Sequence, residues 1–170
     1  MAASAPSYAD LVERMRDLHT ALRRRKATVA SAESCTGGLL ASVLTEHEGS
    51  SDYYRGGMSV YSNDAKTSLA GVAPQLIHSH GAVSGVVAAA LARGAREHLD
   101  ARIGLGITGI AGPGGATPGK PVGLVYVAVD SEALSTSRKC QWPFDRDGNR
   151  LASVGAALDL LERAVRGGDR

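Results

Sequence analysis

Ser34, Tyr61 and Lys66 are the side chains in this sequence whose types and placement could do chemistry together. The serine sits in Glu33-Ser34-Cys35-Thr36-Gly37-Gly38, at the exit of an apolar β-like run. The tyrosine and lysine sit in Tyr61-Ser62-Asn63-Asp64-Ala65-Lys66, at the exit of the next one. A hydroxyl, a phenol and an amine at strand ends are the parts of a serine nucleophile with a lysine base in place of a histidine. A lysine at its ordinary pKa of about 10.4 is protonated at neutral pH, so Lys66 has to be desolvated, or set near other positive charge, to accept a proton. Tyr61 is expected to relay that proton or to hold the lysine. The chain has no Gly-x-Ser-x-Gly elbow, and none of its histidines (His19, His47, His78, His80, His98) falls in a nucleophile motif. Cys35 is the rival nucleophile because a thiol is intrinsically more reactive, but it has no partner histidine or second cysteine nearby in sequence and is read as wall or core.

Two Gly-rich strings call for other readings. Gly104-Leu105-Gly106-Ile107-Thr108-Gly109 spells Gly-x-Gly-x-x-Gly, yet Pro113-Gly114-Gly115 follows where a dinucleotide fingerprint needs a helix. Gly114 to Lys120 spells most of a Walker A loop, but Pro121 stands where Ser or Thr would hold magnesium. A Gly-rich loop between two strands still lets backbone N–H groups approach an anion, which makes Thr108, Gly109, Ala111 and Gly112 candidates for binding a phosphate or carboxamide. Arg146, in Asp145-Arg146-Asp147, has two readings, a phosphate partner or a structural ion pair. The tip Thr117-Pro118-Gly119-Lys120 is placed to close over a ligand. His78-Ser79-His80 has no nearby carboxylate or third ligand and reads as a loop pair, so no metal site is expected.

Taken in order, the blocks at Glu33–Gly38 and Tyr61–Lys66, Thr108-Gly109-Ile110-Ala111-Gly112-Pro113, and Lys120-Pro121-Val122-Gly123 closely resemble the CinA carboxy-terminal domain family, between about Ala27 and Arg150. That family is known for nicotinamide mononucleotide amidohydrolase activity. The resemblance implies Ser34 as nucleophile, Lys66 as base and Tyr61 as an assistant to proton transfer, with no cofactor. It implies a mononucleotide site that includes Glu33, Thr36, Gly37 and Gly38. The backbone N–H groups at the Thr36-Gly37-Gly38 helix start are the expected oxyanion donors. An amidase for another small carboxamide, and a non-catalytic nucleotide-binding or competence accessory module, are the alternatives. In many members this domain follows a nucleotide pyrophosphatase-like domain. Only about 26 residues precede the first strand here, so no pyrophosphatase activity is expected.

The elements that must position these groups alternate. Tyr8, Leu11, Met15, Leu18 and Leu22 recur at helical steps, predicting a helix over about 8–25 with Ser7 as N-cap. A buried strand is expected at Ala27–Ala32, and Gly37-Gly38 opens a helix through Leu39, Leu40, Val43 and Leu44. A second strand is expected at Gly57–Ser62, with Asp64 capping the helix that carries Lys66. Ser84 caps a helix through Val87, Leu91, Ala95 and Leu99. Strands at Ile103–Ile107, Val122–Val129 and Leu134–Trp142 follow, the last pair antiparallel around Asp130-Ser131-Glu132. The pattern predicts an α/β fold, a three-layer α/β/α arrangement with a mixed, mainly parallel sheet and the active groups at the strands' carboxyl ends. The resemblance adds the anticodon-binding-domain-like topology. One domain is expected over 1–170: an N-terminal helix (1–26), a motif-bearing core (27–150) and a closing helix (147–166).

Composition sets the outer limits. A formal charge of +2 lacks the basic excess of a nucleic-acid binder, and the Arg23-Arg24-Arg25-Lys26 cluster suits the C-terminal end of a helix. Gly85–Ala92 is interrupted by Arg93, well short of the roughly 18 to 20 apolar residues of a membrane span. Met1–Asp10 lacks the order of a signal peptide, and Cys35 and Cys140 form no Cys-x-x-Cys pair. A cytoplasmic enzyme of a small molecule, without nucleic-acid or membrane partners and assembling as a homo-oligomer, is the expectation.

Overall fold

A computed structural model describes residues 4–167, in the order α1 (Tyr8–Arg25), β1 (Val29–Glu33), α2 (Leu39–Thr45), a short 3-10 turn (Ser50–Asp52), β2 (Tyr54–Ser59), α3 (Asn63–Ala70), α4 (Pro74–His80), α5 (Gly85–His98), β3 (Ile103–Gly109), β4 (Leu124–Ser131), β5 (Ser135–Gln141) and α6 (Arg146–Gly167). The sheet order is β2-β1-β3-β4-β5. β1 pairs in parallel with both β2 and β3, while β4 runs antiparallel to β3 and to β5. Four strands therefore point one way and β4 alone runs against them, a mixed and mainly parallel sheet. Helices α1, α2 and α6 pack together on one face, and α3, α4 and α5 on the other, which makes three layers.

The larger core cluster lies on the first face, where Met15, Leu22, Leu40, Leu44, Leu158 and Leu161 meet Val29, Leu105 and Val127. The second face is thinner because α5 lies almost directly on the sheet. A methyl group built on Gly104 would stand 1.9 Å from the Ala92 carbonyl oxygen, and one on Gly106 would stand 2.3 Å from that of Ala88. The Gly-x-Gly-x-x-Gly string is thus a whole strand, its first two glycines present so that a helix can approach.

Several boundaries move from the sequence expectation. The strand expected at Gly57–Ser62 is β2, Tyr54–Ser59. As an edge strand it tolerates Gly56-Gly57, and the bare Gly57 leaves space for the Ser31 Oγ and Tyr54 hydroxyls, which bond at 2.8 Å. Tyr61 therefore lies beyond the strand. Ser62, not Asp64, caps α3, accepting from the Ala65 N–H at 3.0 Å, and Asp64 falls in the first turn. β3 continues through Thr108 and Gly109, and His78-Ser79-His80 ends a helix, α4, with Pro74 in its first turn, not a loop. Ser7 and Ser84 cap α1 and α5 as expected.

Candidate active site

Because β1, β2 and β3 are parallel neighbours, their carboxyl ends lie along one edge of the sheet, and the order 2-1-3 opens a crevice where the connections diverge. A cavity of about 290 Å³ occupies that edge. Ser34 and Cys35 reach it from the end of β1, Tyr61, Asn63 and Lys66 from the β2–α3 junction, and Thr108 and Gly109 from the end of β3. The loop after β3 adds Ile110, Ala111, Gly112, Gly114 and Gly115, the α4–α5 connection adds Ala82 and Val83, and α6 contributes Arg146.

Glu33 shapes the serine turn from beneath. It is buried, and its Oε2 accepts from Thr36 Oγ1 at 2.6 Å and from the N–H groups of Gly38 at 3.1 Å and Leu40 at 3.0 Å, while Oε1 accepts from Ala41 N–H at 2.9 Å. α2 begins at Gly38 with no side-chain cap of its own, so this carboxyl, five to eight residues upstream, takes over that role. The Ser34 N–H donates to Ile107 O at 2.9 Å and the Gly37 N–H to Ser34 O at 3.1 Å, and Arg150 Nη2 donates to Thr36 O at 3.0 Å from α6. Glu33, Thr36, Gly37 and Gly38 thus build the turn and do not line the cavity. Of the three amides expected as oxyanion donors, those of Gly37 and Gly38 are occupied within it.

Lys66 is 2% exposed, and its ammonium nitrogen donates to the Tyr61 carbonyl oxygen at 3.4 Å. Burial lowers its pKa from the ordinary lysine value, opposed only by the charge of the neighbouring Cys35 thiolate form. Among the described residues no carboxylate lines the cavity to hold the amine in its charged form. Burial also pushes the Cys35 thiol up to about 12, which leaves it neutral and a poor nucleophile despite its position beside Ser34.

The Tyr61 side chain is 61% exposed, and its hydroxyl accepts from Arg146 Nη2 at 3.1 Å rather than meeting Lys66. The lysine is held by the backbone of Tyr61, so a phenolic proton relay does not match this geometry. Arg146 also donates through Nη1 to Gly112 O at 2.6 Å and so ties the glycine loop to the β2–α3 junction. Thr108 Oγ1 donates to Ala82 O at 2.8 Å, fixing the α4–α5 connection at the cavity wall. Lys120 fastens the loop tip through a 2.7 Å bond to His80 O. Ala82 and Val83 had no sequence signal, and Asn63 stood in the Tyr61–Lys66 block without a role, since only the packing of α3 to α5 brings them to this edge. Among the described residues no group of His, Cys, Asp or Glu side chains could hold a metal ion, and no helix is long and apolar enough to cross a membrane.

Comparison with known proteins gives one consistent result. The model of the CinA C-terminal domain matches residues 12–165. The chain is 52% identical to a CinA-like protein of Acidobacterium capsulatum over 85% of its own length and 43% identical to one of Mycolicibacterium paratuberculosis over 95%. It spans 35% and 42% of those relatives, well under half of their length. The crystal structure of a competence/damage inducible protein from Agrobacterium tumefaciens superposes with a TM-score of 0.88 at 36% identity, covering 95% of this chain and 98% of that one. A CinA superfamily protein of Escherichia coli superposes at 0.85 with 31% identity, covering 92% and 90%. With a family model matching residues 12–165 and relatives alike in sequence and in fold across most of its length, this protein belongs to the CinA C-terminal domain family.

Proposed function

We propose that this domain is an amidohydrolase that converts nicotinamide mononucleotide to nicotinic acid mononucleotide and ammonia. The observation that carries the reading is Lys66, an amine buried in the cavity that Ser34 lines, with no carboxylate among the described residues that line it. A desolvated amine of lowered pKa is suited to take a proton from a serine hydroxyl near neutral pH.

In this reading Ser34 Oγ bonds to the carboxamide carbon as its proton passes to Lys66 Nζ. The tetrahedral adduct then expels ammonia, which takes its extra proton from Lys66. Lys66 next removes a proton from water as the water attacks the acyl-serine, and returns it to Ser34 Oγ as the carboxylic acid leaves. Tyr61 serves through its carbonyl, which orients Lys66, and through its phenol, which orients Arg146. Arg146 has N–H groups beyond its bonds to Gly112 and Tyr61 and is the candidate phosphate partner, together with the loop residues Thr108, Gly109 and Ala111, while Gly112 lies on the carboxamide side of the reading. The cavity volume, about 290 Å³, is just below the range of about 300–1,000 Å³ for small-molecule sites, which favours a mononucleotide over a dinucleotide.

The test is ammonia release by the purified, chelator-treated chain from nicotinamide mononucleotide, free nicotinamide and the nicotinamide dinucleotide. Release from the mononucleotide alone is expected. Release from none of the three, with calorimetric binding of the mononucleotide retained, would replace the enzyme reading with that of a nucleotide-binding module.

A further inference from the structure

Acyl transfer at Ser34 generates an oxyanion that needs a hydrogen-bond donor aimed at it. The Gly37 and Gly38 amides are engaged within the serine turn, which leaves neither of them for that role, whereas the loop after β3 lines the same cavity as Ser34. Ala111 and Gly112 line the cavity. The Ala111 carbonyl accepts from Asn149 Nδ2 at 2.9 Å. Asn149 is fully buried on α6 and immobilised on every side: its Oδ1 accepts from Phe144 N–H at 3.1 Å, and its carbonyl accepts from Ser153 Oγ at 2.6 Å, which in turn accepts from Trp142 Nε1 at 3.0 Å.

The Ala111–Gly112 peptide is trans, so its C=O and N–H point to opposite sides. With the carbonyl drawn onto Asn149, the Gly112 N–H turns away from the buried face of α6. Among the described residues no hydrogen bond engages it. The next carbonyl, that of Gly112, is pinned by Arg146, so the peptide is fixed at both ends. Gly112 has φ +90°, and a methyl group there would stand 2.5 Å from Val122 Cγ1, so this position can present only backbone.

We infer that the Gly112 N–H is the oxyanion donor for reaction at Ser34, and that Asn149 is the positioning residue that aims it. The inference rests on the amidase reading for its natural substrate, and its test is arranged to separate the two. The Ala111–Gly112 amide is replaced by an ester, with glycolic acid at position 112, which removes that one donor and leaves Asn149 in place. Asn149→Ala is made alongside it, and both are checked by thermal melting. Turnover of the mononucleotide is measured, together with the burst of nitrophenolate as p-nitrophenyl acetate acylates Ser34.

The ester protein should lose about 100-fold in kcat with KM nearly unchanged, the usual effect of deleting one oxyanion donor. Asn149→Ala should show the same split, less steeply. A raised KM with kcat held would mean that the N–H binds a ground-state anion such as phosphate, and it would overturn the proposal. Unchanged kinetics in a folded ester protein would overturn it too. If the wild type acylates but releases no ammonia, the substrate reading fails alone, and the burst rate of the ester protein decides: a fall carries the proposal and no fall overturns it. A wild type with neither turnover nor burst overturns both.

Discussion

Two strand-to-helix junctions meet at this site, and they are built in opposite ways. At β1–α2 a buried carboxylate, Glu33, gathers a hydroxyl and several backbone N–H groups, and it leaves the serine on a turn with little freedom. At β2–α3 the cap is the exposed Ser62 with one bond to Ala65, the phenol is out in solvent, and Lys66 is the polar side chain that is buried. A nucleophile must be held still to attack, so the first junction is determined many times over. A base must be desolvated to lose its proton, so the second invests in burial rather than in bonds. The difference explains why Ser34 and Lys66 fit their proposed roles and why the adjacent Cys35 and Tyr61 do not fit them as reacting groups.

The comparison breaks most sharply at the reacting groups themselves. Ser34→Ala and Lys66→Met should each lower ammonia release by about 10³-fold or more. Their effects on stability should differ. Burial sets the folded pKa of Lys66 below its unfolded value, so between the two values the unfolded chain binds the extra proton, and wild-type stability rises with pH through that window. Lys66→Met removes this cost. Its melting temperature should exceed that of wild type at neutral pH, with a gain that fades as the pH approaches 10.5, whereas Ser34→Ala should show no such trend. A Lys66→Met protein that melts lower at every pH would mean that the amine is not desolvated.

The caps give the next largest contrast. Glu33→Ala leaves the Thr36 hydroxyl and the three amides without their acceptor and should cost at least about 3 kcal/mol, read as a fall of roughly 6–12 °C in melting temperature. Ser62→Ala should cost only about 1 kcal/mol, as an ordinary exposed N-cap does. Equal losses would remove the asymmetry. Tyr61→Phe should keep turnover within about tenfold of wild type, because it deletes one bond at an exposed site. A Tyr61→Phe protein as inactive as Lys66→Met would return the phenol to proton transfer. Smallest of all, Cys35→Ala should leave turnover close to wild type, and wild-type Cys35 should resist alkylation at pH 8, since its thiol titrates at about 12.

How much of this was legible in the chain depended on range. Period and capping residues located α1, α5, α6 and the β4–β5 hairpin, because a helix face and a tight turn are encoded within a few residues. Proximity of Ser34 and Lys66 was expected only through four motifs in order, and it follows from parallel pairing of β1 with β2. β2 was displaced because its glycines weaken a local strand signal that an edge position and the Ser31–Tyr54 hydroxyl pair restore from outside. Glu33 looked like a ligand contact and proved to be a cap, since nothing in a linear motif tells a side chain facing a cavity from one turned beneath a helix.

By itself, then, the sequence determined the alternation of elements, the mixed sheet and the residue types at each strand exit, all of which follow from short-range periodicity and turn chemistry. Only the tertiary structure decided which of those residues face the cavity, that Lys66 is desolvated while Tyr61 is turned onto Arg146, and that Asn149 holds the glycine loop from a helix 38 residues away along the chain. Burial and hydrogen-bond partnership are properties of the packed chain, and they are set by neighbours that no local pattern contains.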